Sequence, residues 1–460
     1  MRYNDGMTID TTQHTVAKVY LSTPALICGV ADNPSAFVHA LCAGDQSGIQ
    51  RISSGLAQRD VANVDFSADG SAGADATSAE HKRFYAGHIA DERLAPTDDR
   101  YDMRVLRILE AALRQLDGTV ARAKERYGAA RIGVCVGSCD NGSEVSLAAH
   151  TAYFRSGEFP QNYALTVQGA DYPARYAARR FGLTGAVLAF ATACSSSASA
   201  LVTARALILA GICDAVIAGG VDVTSPTVLL GFDGLEAVSA DITNPFSANR
   251  HGITLGEGAA FFVLSRDDLD DTGMVLAGTG ESADASHMTA PLADGTGAQM
   301  AMEAALRDAG ISACDIDYIN LHGTGTRLND SMESKAVVAV FGTAATASAE
   351  ITDKTDDDNS RFVGAGANCC PSCSVPVSST KPLTGHTLGA AGALELAACF
   401  LAARHRILPV HRWDGVRDEG LSPLNFVNKS DCPHPLRWCM SNSFAFGGCN
   451  VSLILHNERA

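Results

Sequence analysis

Short apolar runs alternate with longer stretches of helical period along most of this chain. Ile132–Gly137 (IGVCVG), Ala215–Gly219 (AVIAG) and Ala260–Leu264 (AFFVL) are apolar at nearly every position, which predicts short buried strands. Asp102–Arg126 and Ser196–Ala210 have the length and apolar spacing of helices. Asp317–Leu321 (DYINL) predicts a further strand that runs straight into the loop HGTGT. Gly389–Ala403 predicts an Ala- and Leu-rich helix, and Asn450–Leu455 a closing strand. Repeated strand–helix–strand units with apolar strands predict an α/β protein whose partly parallel sheets are covered on both faces. Three stretches break the pattern. Residues 1–15 are polar and predict a frayed end, residues 56–80 predict a long loop, and the polar, acidic stretch Thr343–Ser378 predicts a surface insertion.

Composition narrows the class. The chain has 460 residues, of which 46% are hydrophobic and 19% charged, enough for two domains or one large duplicated unit. Alanine-rich stretches at 188–215 and 388–403 favour helices packed closely on sheets. The 14 cysteines lie scattered from Cys28 to Cys449 without a disulfide spacing, and Met1–Tyr20 lacks the pattern of a signal peptide. Nor is there an apolar run of the roughly 18 residues that a membrane span needs. These features predict a reduced, cytoplasmic setting with most cysteines as small buried residues. Cys370-Pro371-Ser372-Cys373, preceded by Cys369, has half of a zinc spacing; without a matching second pair it reads as loop cysteines, so no metal is expected.

The net charge of −16 weighs against nucleic acid and anionic membrane as partners. One segment runs against it. Arg93, Arg100, Arg104, Arg107, Arg114, Arg122, Lys124, Arg126 and Arg131 form a basic stretch, either a docking patch for an acidic partner or a helix face of paired charges.

Four motifs carry reactive side chains. Ala191-Thr192-Ala193-Cys194-Ser195-Ser196-Ser197 follows an apolar run and precedes a helical pattern, so Cys194 sits at a helix start. There the dipole and free amides favour a thiolate, the form that attacks; a buried packing cysteine is the bland alternative. Leu321-His322-Gly323-Thr324-Gly325-Thr326 places a histidine at a strand end, before glycines that let a ligand approach the backbone. Ser379–His386 brings Lys381 and His386 together ahead of the helix bearing Glu395, where the two charges would orient His386. Ser443-Phe444-Ala445-Phe446-Gly447-Gly448-Cys449-Asn450 is a glycine-rich loop before the last strand. Taken singly, each histidine or turn is compatible with a purely structural role.

In this order the four motifs resemble the β-ketoacyl synthases of fatty-acid and polyketide synthesis, specifically the Cys-His-His class. Pro245–Gly252 and Gly256-Glu257-Gly258-Ala259 extend the resemblance, which covers the chain from about Val19 to Leu455. It implies the thiolase fold: two duplicated α/β halves, 15–265 and 266–460, in five α-β-α-β-α layers. The first half would carry the nucleophile and the second both histidines. It further implies a decarboxylative Claisen condensation of malonyl-acyl-carrier protein with an acyl thioester on Cys194. His322 and His386 would stabilise the enolate, Lys381 would support them, and the amides of Cys194 and Phe446 would form the oxyanion hole. Thr324 and Thr326 resemble the hydroxyls that hold the pantetheine arm, Phe446 the gate of the acyl pocket, and Glu395 and Phe444 its supports. No dissociable cofactor is implied, because the phosphopantetheine arm arrives on the carrier. A homodimer is the default expectation and a heterodimer with a related subunit the alternative.

This chain departs from the family pattern at Ala445, where glycine is usual, at Asn249 and His251, which replace the aspartates flanking Arg250, and at Cys449. These changes predict stiffer gating and a weaker charge network around Arg250. Other readings of the same residues are a non-elongating partner subunit, a coenzyme-A-dependent thiolase-type enzyme, and a cysteine hydrolase. Cys194 speaks against the first, His386 with Phe444 and Phe446 against the second, and the lack of protease signatures against the third.

Overall fold

The computed structural model describes residues 18–57, 81–140, 142–342 and 375–460. In chain order the strands are β1 Tyr20–Leu21, β2 Ala25–Cys28, β3 Ile49–Ala57, β4 His81–Gly87, β5 Ile132–Gly137, β6 Val187–Phe190, β7 Ala215–Asp222, β8 Leu255–Gly256 and β9 Gly258–Ser265. The remainder are β10 Met274–Ala283, β11 Tyr318–Asn320, β12 Pro376–Ser378, β13 Asn425–Phe426, β14 Trp438–Phe444 and β15 Cys449–Asn457.

Two five-stranded sets share one topology. The first lies in the order β6-β5-β7-β9-β2 and the second in the order β12-β11-β14-β15-β10. Counted along the chain within each set, both read 3-2-4-5-1. In both, the three strands nearest one edge run parallel and the last two antiparallel. The short β1 pairs with both β9 and β10 and links the two sheets edge to edge. A separate three-stranded sheet, β3-β4-β8, lies beside them.

Helices Ser196–Leu209 and Ala391–His405 pack against each other and against strands of both sheets, so they form the middle layer. Arg104–Leu113 and Tyr172–Phe181 cover the outer face of the first sheet, and Thr296–Ala309 that of the second. The arrangement is the five-layered thiolase fold. Every residue of the middle helix from Ala391 to Ala403 is buried, as a helix sandwiched between sheets requires. Small side chains make this possible. A Cβ on Gly220 of β7 would lie 2.7 Å from Cβ of Ser197 and 2.8 Å from the Gly389 carbonyl, so only glycine lets both helices come this close. In each half the connection from the third to the fourth strand includes a 3-10 turn, Ala193–Ser195 or Leu388–Ala390, that runs into a middle helix. Each turn opens on a left-handed residue, Ala193 at φ 52° and Leu388 at φ 48°.

Several predicted elements differ in extent. The helix expected over 102–126 is two helices, Arg104–Leu113 and Asp117–Tyr127, joined by a 3-10 turn. The break falls at Arg114–Leu116, directly ahead of Asp117 and Gly118, two poor helix formers in succession. The stretch expected as an insertion to Ser378 ends in the strand β12, and the loop expected from 56 begins inside β3. Residues 1–15, most of both long loops and Cys369, Cys370 and Cys373 lie outside the described residues. Cys28, Cys135, Cys213, Cys399 and Cys439 are buried free thiols, as their composition suggested, whereas Cys314 is disulfide-bonded, against the expectation of a wholly reduced set. No helix among the described residues is long and apolar enough to cross a membrane.

Glu257 ties the small sheet to the large one. Its carboxylate accepts the Ile89 amide at 2.8 Å and two bonds from Arg104 at 2.6 and 2.9 Å, with His88 Nδ1 2.8 Å away. Burial works to raise its pKa, yet Arg104 and His88 outweigh burial and hold the carboxyl at about 2. A carboxyl held below its ordinary range stabilises the fold above about pH 4.5, and that contribution is lost as pH falls toward about 2. Glu257→Gln is therefore expected to cost on the order of 3 kcal/mol at pH 7 by urea denaturation. The gap to wild type should narrow as the pH is lowered from about 4.5.

Candidate active site

Hydroxyls of the motif itself hold the Cys194 turn. Ser196 Oγ donates to the Ala193 carbonyl at 2.6 Å and accepts the Thr192 amide at 2.9 Å, while Ser195 Oγ donates to the Thr192 carbonyl at 2.8 Å. These bonds keep Ala193 in a conformation that a residue with a Cβ seldom adopts. The strained turn directs Cys194 inward, where it is 5% exposed.

The second half delivers its histidines across the seam. The His386 backbone pairs with the first half, its amide donating to the Thr254 carbonyl at 2.7 Å and its carbonyl accepting the Gly256 amide at 2.9 Å. Its Nε2 then lies 2.9 Å from Cys194 Sγ. The His322 loop hangs from helix Arg327–Phe341: Glu333 accepts the His322 and Gly323 amides, both at 2.7 Å, and Asp330 accepts the Gly325 amide at 3.1 Å. The two imidazoles meet edge to face at 5.4 Å, and Phe444 flanks His322 at 6.2 Å.

Lys381 sits behind the pair. Its ammonium donates to the His322 carbonyl and to Glu395, and lies 3.3 Å from His322 Nδ1. An ammonium donating to Nδ1 leaves the ring proton on Nε2, so His322 presents a donor on its other side. Burial, reinforced by Lys381, drives both histidines well below their ordinary range, so both rings are neutral at pH 7.

The thiol departs from the expectation based on its helix start. Burial pushes Cys194 up to about 12, outweighing Lys381 and the Phe446 amide, which act to lower it. The resting site thus holds a thiol beside a neutral imidazole, not a standing thiolate. Sγ of Cys194 and a ring nitrogen from each histidine lie within 4.8 Å of one another, a donor set that could serve zinc. The ammonium of Lys381 at 3.3 Å from His322 Nδ1 supplies positive charge there and disfavours a second cation.

Cys194, His322, His386, Thr324, Thr326, Phe444 and Phe446 line one cavity of about 10 Å³, together with Phe232, Ile253 and Asn329. That is room for about one water at most. Thr324 and Thr326 share a 3.0 Å hydroxyl bond. Beyond them a larger pocket of about 370 Å³ opens outward, and Phe446, Thr326 and Asn329 border both spaces. Phe446, stacked on Phe232 at 5.8 Å, divides the inner space from the outer. Ala445 does not have a positive φ, so alanine is accommodated there; Gly447 and Gly448, at φ 87° and 76°, make the bend.

One further expectation is corrected and one open alternative is decided. Arg250 keeps a charge network without its usual neighbours, bonding Asp418 at 2.5 Å and lying 3.7 Å from Asp330. The basic segment is no open patch. Arg104, Arg107, Arg114, Arg122, Arg126 and Arg131 are paired with carboxylates, and Arg93, Arg100 and Lys124 donate to backbone carbonyls. Sequence reasoning missed Glu333, Asp222 and Phe232. Asp222 accepts the amides of Cys139, Asp140 and Gly389 and so joins both halves beside the nucleophile turn. An acid 11 residues after His322 on a helix was a findable signal for Glu333; Phe232 carried none.

A duplicated five-layer fold with a cysteine and two neutral histidines at its seam defines a condensing acyltransferase of the thiolase fold. The chain matches the beta-ketoacyl synthase N-terminal domain over residues 25–269 and the C-terminal domain over 274–352 and 360–412. It is 31% identical over 372 residues to nodulation protein E of Rhizobium meliloti, covering 80% of this chain and 84% of that one. Its identity to 3-oxoacyl-[acyl-carrier-protein] synthase 2 of Vibrio cholerae is 30% over 388 residues, covering 80% and 86%. Among solved structures, the ketosynthase from Xenorhabdus doucetiae in complex with its chain length factor superposes with a TM-score of 0.77 at 33% identity, covering 96% and 98%. The chain belongs to the β-ketoacyl synthase family.

A thiol held near pKa 12 sets the reactivity of the free protein. Alkylation of Cys194, followed by peptide mass mapping with iodoacetamide, is expected to rise about tenfold per pH unit between about pH 7 and pH 9. A rate independent of pH in that window would show a standing thiolate–imidazolium pair instead.

Proposed function

We propose that this protein condenses malonyl-acyl-carrier protein with an acyl group held on Cys194, releasing CO2 and a 3-oxoacyl carrier. The observation that carries the reading is the 2.9 Å contact between Cys194 Sγ and His386 Nε2 in a closed cavity shared with His322. In the first step Cys194 attacks the carrier thioester, its proton passes to His386 Nε2 and then to the departing pantetheine thiolate. The new acyl thioester points its carbonyl oxygen at the amides of Cys194 and Phe446.

In the second step malonyl-carrier loses CO2, and the electron pair of the broken C–C bond becomes an enolate. The Nε2–H of His322 donates to that enolate oxygen, and His386 donates alongside once its ring proton has exchanged from Nδ1 to Nε2 through solvent. The His322 donor, fixed by Lys381 and the Glu333 cradle, needs no reorganisation as the charge develops. The enolate carbon then attacks the Cys194 thioester, and the thiolate leaves and takes up a proton from solvent. Thr324 and Thr326, on the path from the outer pocket to Sγ, are suited to hold the pantetheine arm by its amides. Neither metal nor dissociable cofactor enters these steps.

A second ketosynthase-type subunit is the expected partner. Strand β6 ends its sheet with Val187 and Leu188 exposed, which supports pairing with a like or related chain. The alternative roles as non-elongating partner or thiolase-type enzyme have less support, because the nucleophile and both histidines are in contact here. A cytoplasmic location, and a pathway of fatty-acid or polyketide/polyene type, complete the proposal.

Intact-mass measurement after incubation with acyl-carrier protein is expected to find one acyl group on the wild type and none on Cys194→Ala. An acyl mass that persists in the variant refutes the assignment. His322→Ala should retain acylation while losing roughly 10²- to 10³-fold in malonyl-carrier decarboxylation, followed by CO2 release. Phe446→Ala, which removes the ring between the two spaces, should shorten the lifetime of the acyl-enzyme to hydrolysis several-fold.

A further inference from the structure

The turn that carries Thr324 and Thr326 is held through its backbone by other parts of the chain. The Thr324 carbonyl accepts Thr243 Oγ1 at 3.0 Å, the Gly325 carbonyl accepts the Gly252 amide at 3.0 Å, and the Gly325 amide donates to Asp330 Oδ1 at 3.1 Å. Gly325 stands at φ 78°, and a Cβ there would lie 2.2 Å from Thr243 Oγ1. The segment 243–252 and one buried carboxylate therefore place both threonines.

A buried cation lies close to that carboxylate. Arg250 is 6% exposed; its Nε is 3.7 Å from Asp330 Oδ2 and has no hydrogen-bond partner among the described residues. Asp330 Oδ2 instead accepts the Phe246 amide at 2.7 Å. The rest of the guanidinium is drawn the other way, with Nη1 donating to Asp418 at 2.5 Å and to the Ser247 carbonyl at 2.8 Å. Asp418 belongs to the loop 413–420. Asp414 fastens that loop to the same segment by accepting Ser247 Oγ at 2.8 Å and Asn249 Nδ2 at 2.9 Å. A free guanidinium donor 3.7 Å from a buried carboxylate closes to hydrogen-bond distance unless something holds it back.

We propose that Asp418 is a positioning residue for the pantetheine arm: it holds Arg250 away from Asp330 and so leaves Asp330 to anchor Gly325 between the two threonines. The inference rests on the condensing reading of the site, in which Thr324 and Thr326 take the amides of the arm. Without the Asp418 carboxylate, Arg250 keeps its charge in a buried place, and Asp330 is the other carboxylate within reach among the described residues. The guanidinium then moves onto Asp330, whose oxygens are drawn from the Phe246 and Gly325 amides, and the turn loses its anchor. The nucleophile is left as it was, since Arg250, Asp330 and Asp418 do not border the cavity at Cys194.

Single-turnover acylation, followed by intact mass, reads this as a difference between two acyl donors. Acyl-pantetheine carries the arm without its protein, and an S-phenyl thioester of the same acyl group carries neither. For Asp418→Asn the half-saturating concentration of acyl-pantetheine is expected to rise about fivefold or more, with the maximal rate within about twofold of wild type. Its rate with the S-phenyl thioester should stay within about twofold, and Asp418→Glu should recover most of the loss. If Asp418→Asn does not fold, Asp414→Asn, which loosens the same loop, should show the same split between donors. Equal losses with both donors, or no change with either, overturn the positioning role. So does a loss in Asp418→Glu as large as in Asp418→Asn, or a wild type that the S-phenyl thioester alone acylates. A wild type that neither donor acylates refutes the site reading itself.

Discussion

Everything reactive in this protein is arranged around one buried ammonium. Lys381 is 1% exposed and is held by the His322 carbonyl, the His322 ring and Glu395. A cation in such a place is costly unless its donors are satisfied and a counter-charge is near. Glu395 meets that demand from the middle helix, although burial pushes its own carboxyl up to about 7. Burial does most to keep both histidines neutral, and Lys381 reinforces it and fixes the tautomer of one with a side chain that does not line the cavity. Lysine suits this position because its three donors can be distributed among a carbonyl, a ring and a carboxylate.

The same site is a joint. Cys194 comes from one half and both histidines from the other, and the contact between them is set by backbone pairing of His386 with Thr254 and Gly256. Asp222 bonds amides of residues 139, 140 and 389 and clamps the joint from the opposite side. Burial has pushed Asp222 up to about 7, as expected for a carboxyl whose partners are amides rather than cations. Positional accuracy at Sγ thus depends on contacts spread over the whole interface between the halves.

Much of this was legible in the sequence because the chemistry is carried by short contiguous motifs. Cys194, His322, Thr324, Thr326, His386, Phe444 and Phe446 all border one cavity, as their order along the chain suggested. What could not be read is what depends on distance in space. A helix-start argument sees the dipole acting on Cys194 but not its desolvation, which the entire fold imposes. Arg122, Arg126 and Arg131 look unpaired because Asp270, Asp267 and Asp214 lie more than 80 residues further along. Phe232 and Ile253 resemble any core residue until the gate ring is placed against them.

The duplicated topology carries a last consequence. The 3-10 turn Leu388–Ala390 occupies the place in the second half that the turn bearing Cys194 occupies in the first, down to its left-handed first residue. Its central residue is Gly389, whose amide donates to Asp222 at 2.6 Å. A side chain there would put its Cβ 2.7 Å from the same carboxylate. The two copies therefore differ in role: one places the reactive cysteine at this position, and the other uses its counterpart as a strut against Asp222 of the first half. Symmetry in the fold does not extend to stoichiometry, and each chain has room for a single covalent intermediate at these paired turns.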